Sequence, residues 1–257
     1  MHKETCAPCT IIIFIPKTNR DKVMDLKKAK VLVTGGSSGI GLETARSLVQ
    51  EGAQVIICGR NRKKLEEAAL ITGAKPVAAD VSNPQEAFQL VKETVEYLGD
   101  YNVLINNAGF GTYAPLVDLD PEAMRRVWET NVLGAMLIAQ HSARFFKKEN
   151  YGHIVNVAST ASQKGYAGGT AYASSKFALA GMTQCWREEL RRFNIRVMQI
   201  NPSEVVTPFY QAAGVEREDN PTKLHAEDIA HVILNMLKME DRGFSPETTI
   251  WATNPRL

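Results

Sequence analysis

Seven short apolar runs alternate along this chain with amphipathic stretches, and few folds can use such a pattern. The runs are Lys30–Val33, Gln54–Cys58, Pro76–Ala79, Val103–Ile105, His153–Val157, Arg196–Ile200 and Thr248–Trp251. Between them, apolar residues recur at helical spacing near Ile40–Gln50, Lys63–Leu70, Pro84–Leu98, Glu122–Lys148, Ala173–Phe193 and Ala226–Met239. The runs are apolar nearly throughout rather than alternating with polar residues, as expected of strands covered by helices on both faces. One helix per crossover keeps successive strands parallel. The pattern therefore predicts an α/β fold, a single doubly wound parallel sheet of about seven strands with helices on both faces.

The 257 residues suffice for one such domain, and no internal repeat or linker divides them. The regular pattern starts only near Lys30, and Met24 stands just before Asp25–Lys30. Residues 1–23 are therefore expected to be an extension outside the fold, and residues 24–257 a single domain. Cys6 and Cys9 have the spacing of a redox or metal half-site, but no second pair or histidine cluster accompanies them, and no metal site is expected. The apolar run Thr10–Ile15 is shorter than the roughly 7–15 residues of a signal-peptide core. No run approaches the roughly 18 residues that span a bilayer. A formal net charge of +2 gives no reason to expect nucleic acid or an acidic membrane as partner. Four cysteines do not make a disulfide framework in a chain this long, so the expected location is the reducing cytoplasm.

In a doubly wound sheet, ligands bind beyond the carboxyl ends of the strands, where the strand order reverses. The first run is followed there by Thr34-Gly35-Gly36-Ser37-Ser38-Gly39-Ile40-Gly41 and then a helix. Glycines at such a turn let the backbone approach a ligand, and the helix start supplies free N–H groups for a pyrophosphate. Later, Tyr172 and Lys176 stand at i and i+4, which puts phenol and ammonium on one helix face. A tyrosine titrates near pH 10, and a neighbouring cation lowers that value by stabilising the phenolate. Alone, this pair is common on solvated helices.

The spacing Thr-Gly-x-x-x-Gly-x-Gly resembles the nucleotide turn of the short-chain dehydrogenase/reductase family, and four further segments match in order. Asp80-Val81 follows the third run, and Asn106-Asn107-Ala108-Gly109 the fourth. Asn131 lies in the helix Glu122–Lys148, and Ser159 precedes Tyr172 by thirteen residues. The resemblance covers roughly residues 27–251 and implies a Rossmann-type fold and an NAD(P)(H)-dependent interconversion of a ketone and a secondary alcohol. It implies Tyr172 as general acid/base, Ser159 as hydroxyl partner of the substrate oxygen, and Lys176 as the residue that tunes Tyr172 and holds the nicotinamide ribose. Asn131 would position a water in the proton relay. Cofactor contacts are implied for Thr34, Gly35, Ser37, Ser38, Gly39, Ile40 and Gly41 in the turn, and for Asp80 and Val81 near the adenine. They are further implied for Asn107, Ala108, Gly109, Tyr172 and Lys176, and for Pro202, Val205 and Thr207 near the carboxamide.

One segment departs from the family pattern: Pro202 is followed by Ser203 where a glycine is usual, and a serine makes unusual backbone angles costlier. Glu204 beyond it either touches the substrate or caps the next helix. The substrate region is expected at about residues 203–224, including Phe209, Tyr210 and the polar Gly214–Asn220. The pattern is similar to reductases of 3-oxoacyl thioesters and to 3-hydroxy acid dehydrogenases. The alternatives are a catalytically silent NAD(P)-binding sensor or scaffold, and an epimerase or dehydratase of the extended relatives, which need a longer C-terminal region. NADP(H) is expected over NAD(H). Gly59 stands where NAD-preferring relatives carry an acid, and Arg60 and Asn61 follow at once, a guanidinium being suited to a 2′-phosphate. A homo-oligomer, a tetramer, is expected from the apolar runs Leu133–Ala139 and Phe177–Met182 with Trp186.

Overall fold

Successive residues of a strand point to opposite faces of a sheet. In the computed structural model this splits the first strand, β1 (Lys30–Thr34), between two apolar cores, Val31 and Val33 entering one and Leu32 the other. The structure describes residues 23–209 and 222–254. The same division runs through β2 (Gln54–Gly59), β4 (Val103–Asn106) and β5 (Gly152–Val157). Ile57, Ile105 and Val155 join the first core, and Ile56, Leu104 and Ile154 the second. With β3 (Lys75–Ala78), β6 (Ile195–Pro202) and a last strand β9 (Glu247–Ile250), these form a sheet of seven strands in the order β3-β2-β1-β4-β5-β6-β9. Every neighbouring pair is parallel. Two short strands, β7 (Val205–Val206) and β8 (Leu224–His225), pair apart from it.

Helices close both cores. The first is filled by α1 (Gly39–Gln50), α2 (Arg62–Thr72) and α7 (Ala226–Leu237), through Leu48, Leu65 and Ile233. The second takes Leu90 of α3 (Pro84–Leu98), Phe146 of α5 (Ala135–Glu149) and Leu190 of α6 (Thr170–Leu190). This is the doubly wound α/β fold read from the alternating runs.

The single helix expected over Glu122–Lys148 is instead α4 (Pro121–Trp128) and α5, joined by a π-helical segment, Glu129–Gly134. Widened turns of this kind are rare and occur mostly as single insertions in α-helices. Two close contacts fall on it: Asn131 is hydrogen-bonded to the main chain of Phe110, and a Cβ at Gly134 would stand 2.8 Å from Val81.

Met24 and Leu26 belong to the first core, and Val23 makes an antiparallel bridge with Glu240. The Cys6/Cys9 pair, the run Thr10–Ile15, and Tyr210 and Gly214–Asn220 of the expected substrate region lie outside the described residues. Among the described residues no helix is long and apolar enough to cross a membrane. The order β2-β1-β4 reverses the direction of winding between β1 and β4, which opens a crevice beyond their carboxyl ends.

Candidate active site

The turn from β1 to α1 needs glycine at Gly35 and Gly39, whose φ values of +67° and +53° are left-handed. Gly41 is required for another reason: a Cβ there would stand 2.3 Å from the carbonyl oxygen of Gly35. Thr34 fastens this turn to the end of β4. Its Oγ1 accepts the N–H groups of Asn107 and Ala108 at 2.9 and 3.0 Å, and the Asn107 side chain donates back to the Thr34 carbonyl at 2.9 Å. At the start of α1, Ser38 makes no side-chain cap, whereas Asn61, Asn83 and Asp120 cap α2, α3 and α4. The first N–H groups of α1 thus lack a side-chain acceptor and suit a phosphate.

The turn borders a cleft of about 820 Å³. Gly35, Ser37, Ser38, Gly39 and Ile40 line it on one side, with Arg60, Asp80 and Val81 beyond β2 and β3. Asn107, Ala108 and Gly109 line it after β4, then Ser159, Tyr172 and Lys176, then Pro202, Val205 and Thr207. Four residues expected at the site do not line the cleft. Thr34 and Gly41 build the turn from behind, Asn61 spends its side chain on the N–H of Lys64, and Asn131 is buried.

Asn131 holds two segments together. Its Oδ1 accepts from the Phe110 N–H at 3.0 Å, and its Nδ2 donates to the Phe110 carbonyl at 2.9 Å and to Ser175 Oγ at 3.0 Å. Both amide protons are thereby used. Ser159 closes β5 and starts a single 3-10 turn, Thr160–Ser162, accepting the Ala161 N–H at 3.1 Å. That turn is anchored from below: Ser162 Oγ donates to the Ser159 carbonyl at 2.6 Å and stands 3.1 Å from Asn201 Oδ1. Asn201 in turn donates to Glu247 at 2.6 Å.

Lys176 is buried, its ammonium donates to the Val157 carbonyl at 2.8 Å, and it stands 5.7 Å from the centre of the Tyr172 ring. Burial disfavours its charge and lowers its pKa to about 8. Cys58 also lines the cleft, but burial pushes its thiol up to about 12, so it carries no thiolate at neutral pH.

Several lining residues were not singled out from sequence. Phe110 directly follows the Asn-Asn-Ala-Gly segment and carries Arg60 over its ring at 6.0 Å. Lys64, Glu67, Ala68 and Ile71 recur at helical spacing along α2 and extend the cleft past Arg60; that spacing was the available signal. Thr130 adjoins Asn131. The departure at Ser203 proves harmless: outside glycine, positive φ occurs among the described residues only at Asn150 and Asn194, and the Ser203 N–H joins the Ile250 carbonyl at 2.9 Å. Glu204 does not line the cleft and pairs with Lys223 at 3.0 Å.

The chain is similar in sequence and fold to known oxidoreductases. A family model described as short chain dehydrogenase matches residues 29–218. An uncharacterized oxidoreductase of Staphylococcus epidermidis is 31% identical over 228 residues, covering 88% of this chain and 97% of its own. A diacetyl reductase, (S)-acetoin forming, of Staphylococcus aureus is 36% identical over 201 residues, covering 76% and 78%. Among solved structures, an NAD+-bound xylitol dehydrogenase superposes with a TM-score of 0.78 at 27% identity, covering 88% of this chain and 98% of the other. The chain belongs to the short chain dehydrogenase family and is an NAD(P)-dependent oxidoreductase acting on CH–OH and C=O groups.

Proposed function

We propose that Tyr172 is the general acid/base of this oxidoreductase, with Ser159 and Lys176 beside it. The observation that carries the reading is that all three side chains line the same cleft as the uncapped start of α1. The glycine turn and that helix start fit a dinucleotide pyrophosphate, and Gly109 lets the chain pass close to Asn131: a Cβ there would stand 2.9 Å from Oδ1. When bound, the nicotinamide supplies or accepts the hydride. Tyr172 gives its phenolic proton to the substrate oxygen during reduction and takes it back during oxidation. Ser159 holds that oxygen by a hydrogen bond, which fixes the distance across which the proton moves. The buried Lys176 ammonium favours the phenolate that remains. Asn131 acts as a positioning residue, holding the Phe110 segment against α6.

NADP(H) is the preferred cofactor in this reading. Arg60 and Lys64 both line the cleft beyond β2, and Gly59 offers no carboxylate to repel a 2′-phosphate. The protein works as a homotetramer, supported by the half-exposed Trp128, Leu133 and Phe177 on the α4–α5 and α6 faces. The two substrate classes raised by the sequence, 3-oxoacyl thioesters and 3-hydroxy acids, share a reacting C–O centre. They differ in whether the adjoining arm ends in a charge. Oxidation of NADPH by a panel of small ketones, compared between the parent and Tyr172→Phe, tests the reading. Loss of turnover in the variant with cofactor binding intact supports it, and retained turnover overturns it.

A further inference from the structure

Tyr172 does not stand alone at its end of the cleft. Its ring lies 5.4 Å from that of Phe209 and 6.0 Å from that of Tyr113, both tilted by 59°. Tyr166 continues the series, 6.5 Å from Tyr113. Ala161 and Ala173 complete the apolar cluster, and Gly111 lets the chain come close: a Cβ there would stand 2.9 Å from the Tyr113 hydroxyl and 3.3 Å from the Tyr172 ring. Aromatic faces and edges at these separations attract a further planar group.

We propose that Tyr113 and Phe209, with Tyr166 behind Tyr113, recognise the substrate, and that the substrate is an oxo compound with a planar or apolar arm. This rests on the reading of Ser159, Tyr172 and Lys176 as the reacting groups. In the reducing direction the carbonyl carbon takes hydride from the reduced cofactor and its oxygen takes the Tyr172 proton, giving a secondary alcohol and the oxidised cofactor. The aromatic surface selects which carbonyl compound reaches that geometry.

The test compares matched probes on the full-length protein. 1-Phenyl-1,2-propanedione and diacetyl differ in the arm. The ratio of their kcat/KM values should fall about 10-fold in Tyr113→Leu and in Phe209→Leu, the scale of a lost aromatic contact. Tyr113→Phe, which keeps the ring, should hold the ratio at the parent value. NADPH fluorescence in each variant reports whether the cofactor site is intact. A ratio unmoved by the leucine substitutions overturns the proposal. Turnover that survives Tyr172→Phe overturns the reaction assignment instead, so the two failures are separate results.

Discussion

The ammonium of Lys176 donates to the carbonyl of Val157 at 2.8 Å, tying α6 to β5 two residues before Ser159. Burial holds the folded-state pKa of Lys176 at about 8, below its ordinary value of 10.5. Between those values the unfolded chain binds more protons than the folded one. This residue therefore adds stability as pH rises through that window and costs stability below it. The difference in Tm, Lys176→Met minus parent, should fall between pH 7 and pH 10 in thermal melts. A difference independent of pH would show that the charge is not desolvated.

Tyr172→Phe should lower kcat by about 10²–10⁴-fold, the usual worth of general acid/base catalysis. The ring remains to pack against Phe209 and Tyr113, so Tm and the NADPH affinity should stay near those of the parent. Steady-state kinetics beside fluorescence titration separates the two effects.

Arg60→Ala should raise KM for NADP(H) by about 10-fold or more, as expected for a charge-assisted bond to phosphate worth about 1.5–3 kcal/mol. KM for NAD(H) should change little. The similar xylitol dehydrogenase was solved with NAD+, so both cofactors belong in the assay. An equal effect on both would assign Arg60 to packing on Phe110 rather than to the phosphate.

His153 is fully buried on β5, its ring nitrogens have no hydrogen-bond partner among the described residues, and its pKa is lowered to about 3 by burial and then by the charge of Arg196. From about pH 6.5 down to 3 the unfolded chain takes up a proton that the folded chain refuses, so stability is lost as pH falls. His153→Phe should remove that loss. Its Tm relative to the parent should rise as pH drops from 7 to 4.

Leu133→Glu combined with Phe177→Glu should convert the proposed tetramer to a smaller species at micromolar concentration, measured by light scattering. Both residues are half-exposed, so the folded protomer should tolerate the change. A parent that is already monomeric would end this part of the proposal.

The fold was legible because burial on both faces forces continuous apolar runs, and Val31, Leu32 and Val33 read as a strand before their two destinations are known. Which residues of the apolar runs Leu133–Ala139 and Phe177–Met182 face outward was not legible: Ile138 and Leu179 turn inward to buried positions, leaving Leu133 and Phe177 outside. The motif residues were legible by spacing, but their duties were not. Thr34 and Asn61 were expected to touch the cofactor, whereas Thr34 is spent on Asn107 and Ala108, and Asn61 on the cap of α2. Nothing local to Asn131 shows that its amide will hold Phe110 and Ser175, because both partners arrive through long-range packing. Tyr113 escaped for the same reason. Its loop meets Tyr172 only once the sheet is assembled.

The π-helical segment Glu129–Gly134 acts as a phase shifter between α4 and α5. Each residue of an ordinary α-helix advances the side-chain direction by about 100°. The widened turns absorb one extra residue, so a single deletion here would restore ordinary turns and leave Ile138 and Phe146 in the core. A single deletion inside α4 or α5 has no such slack and would swing the helix beyond it round by roughly that angle. A deletion scan read by soluble yield should therefore show more tolerance within these six positions than in the regular turns on either side, in the middle of what looks, by composition, like one unbroken helix.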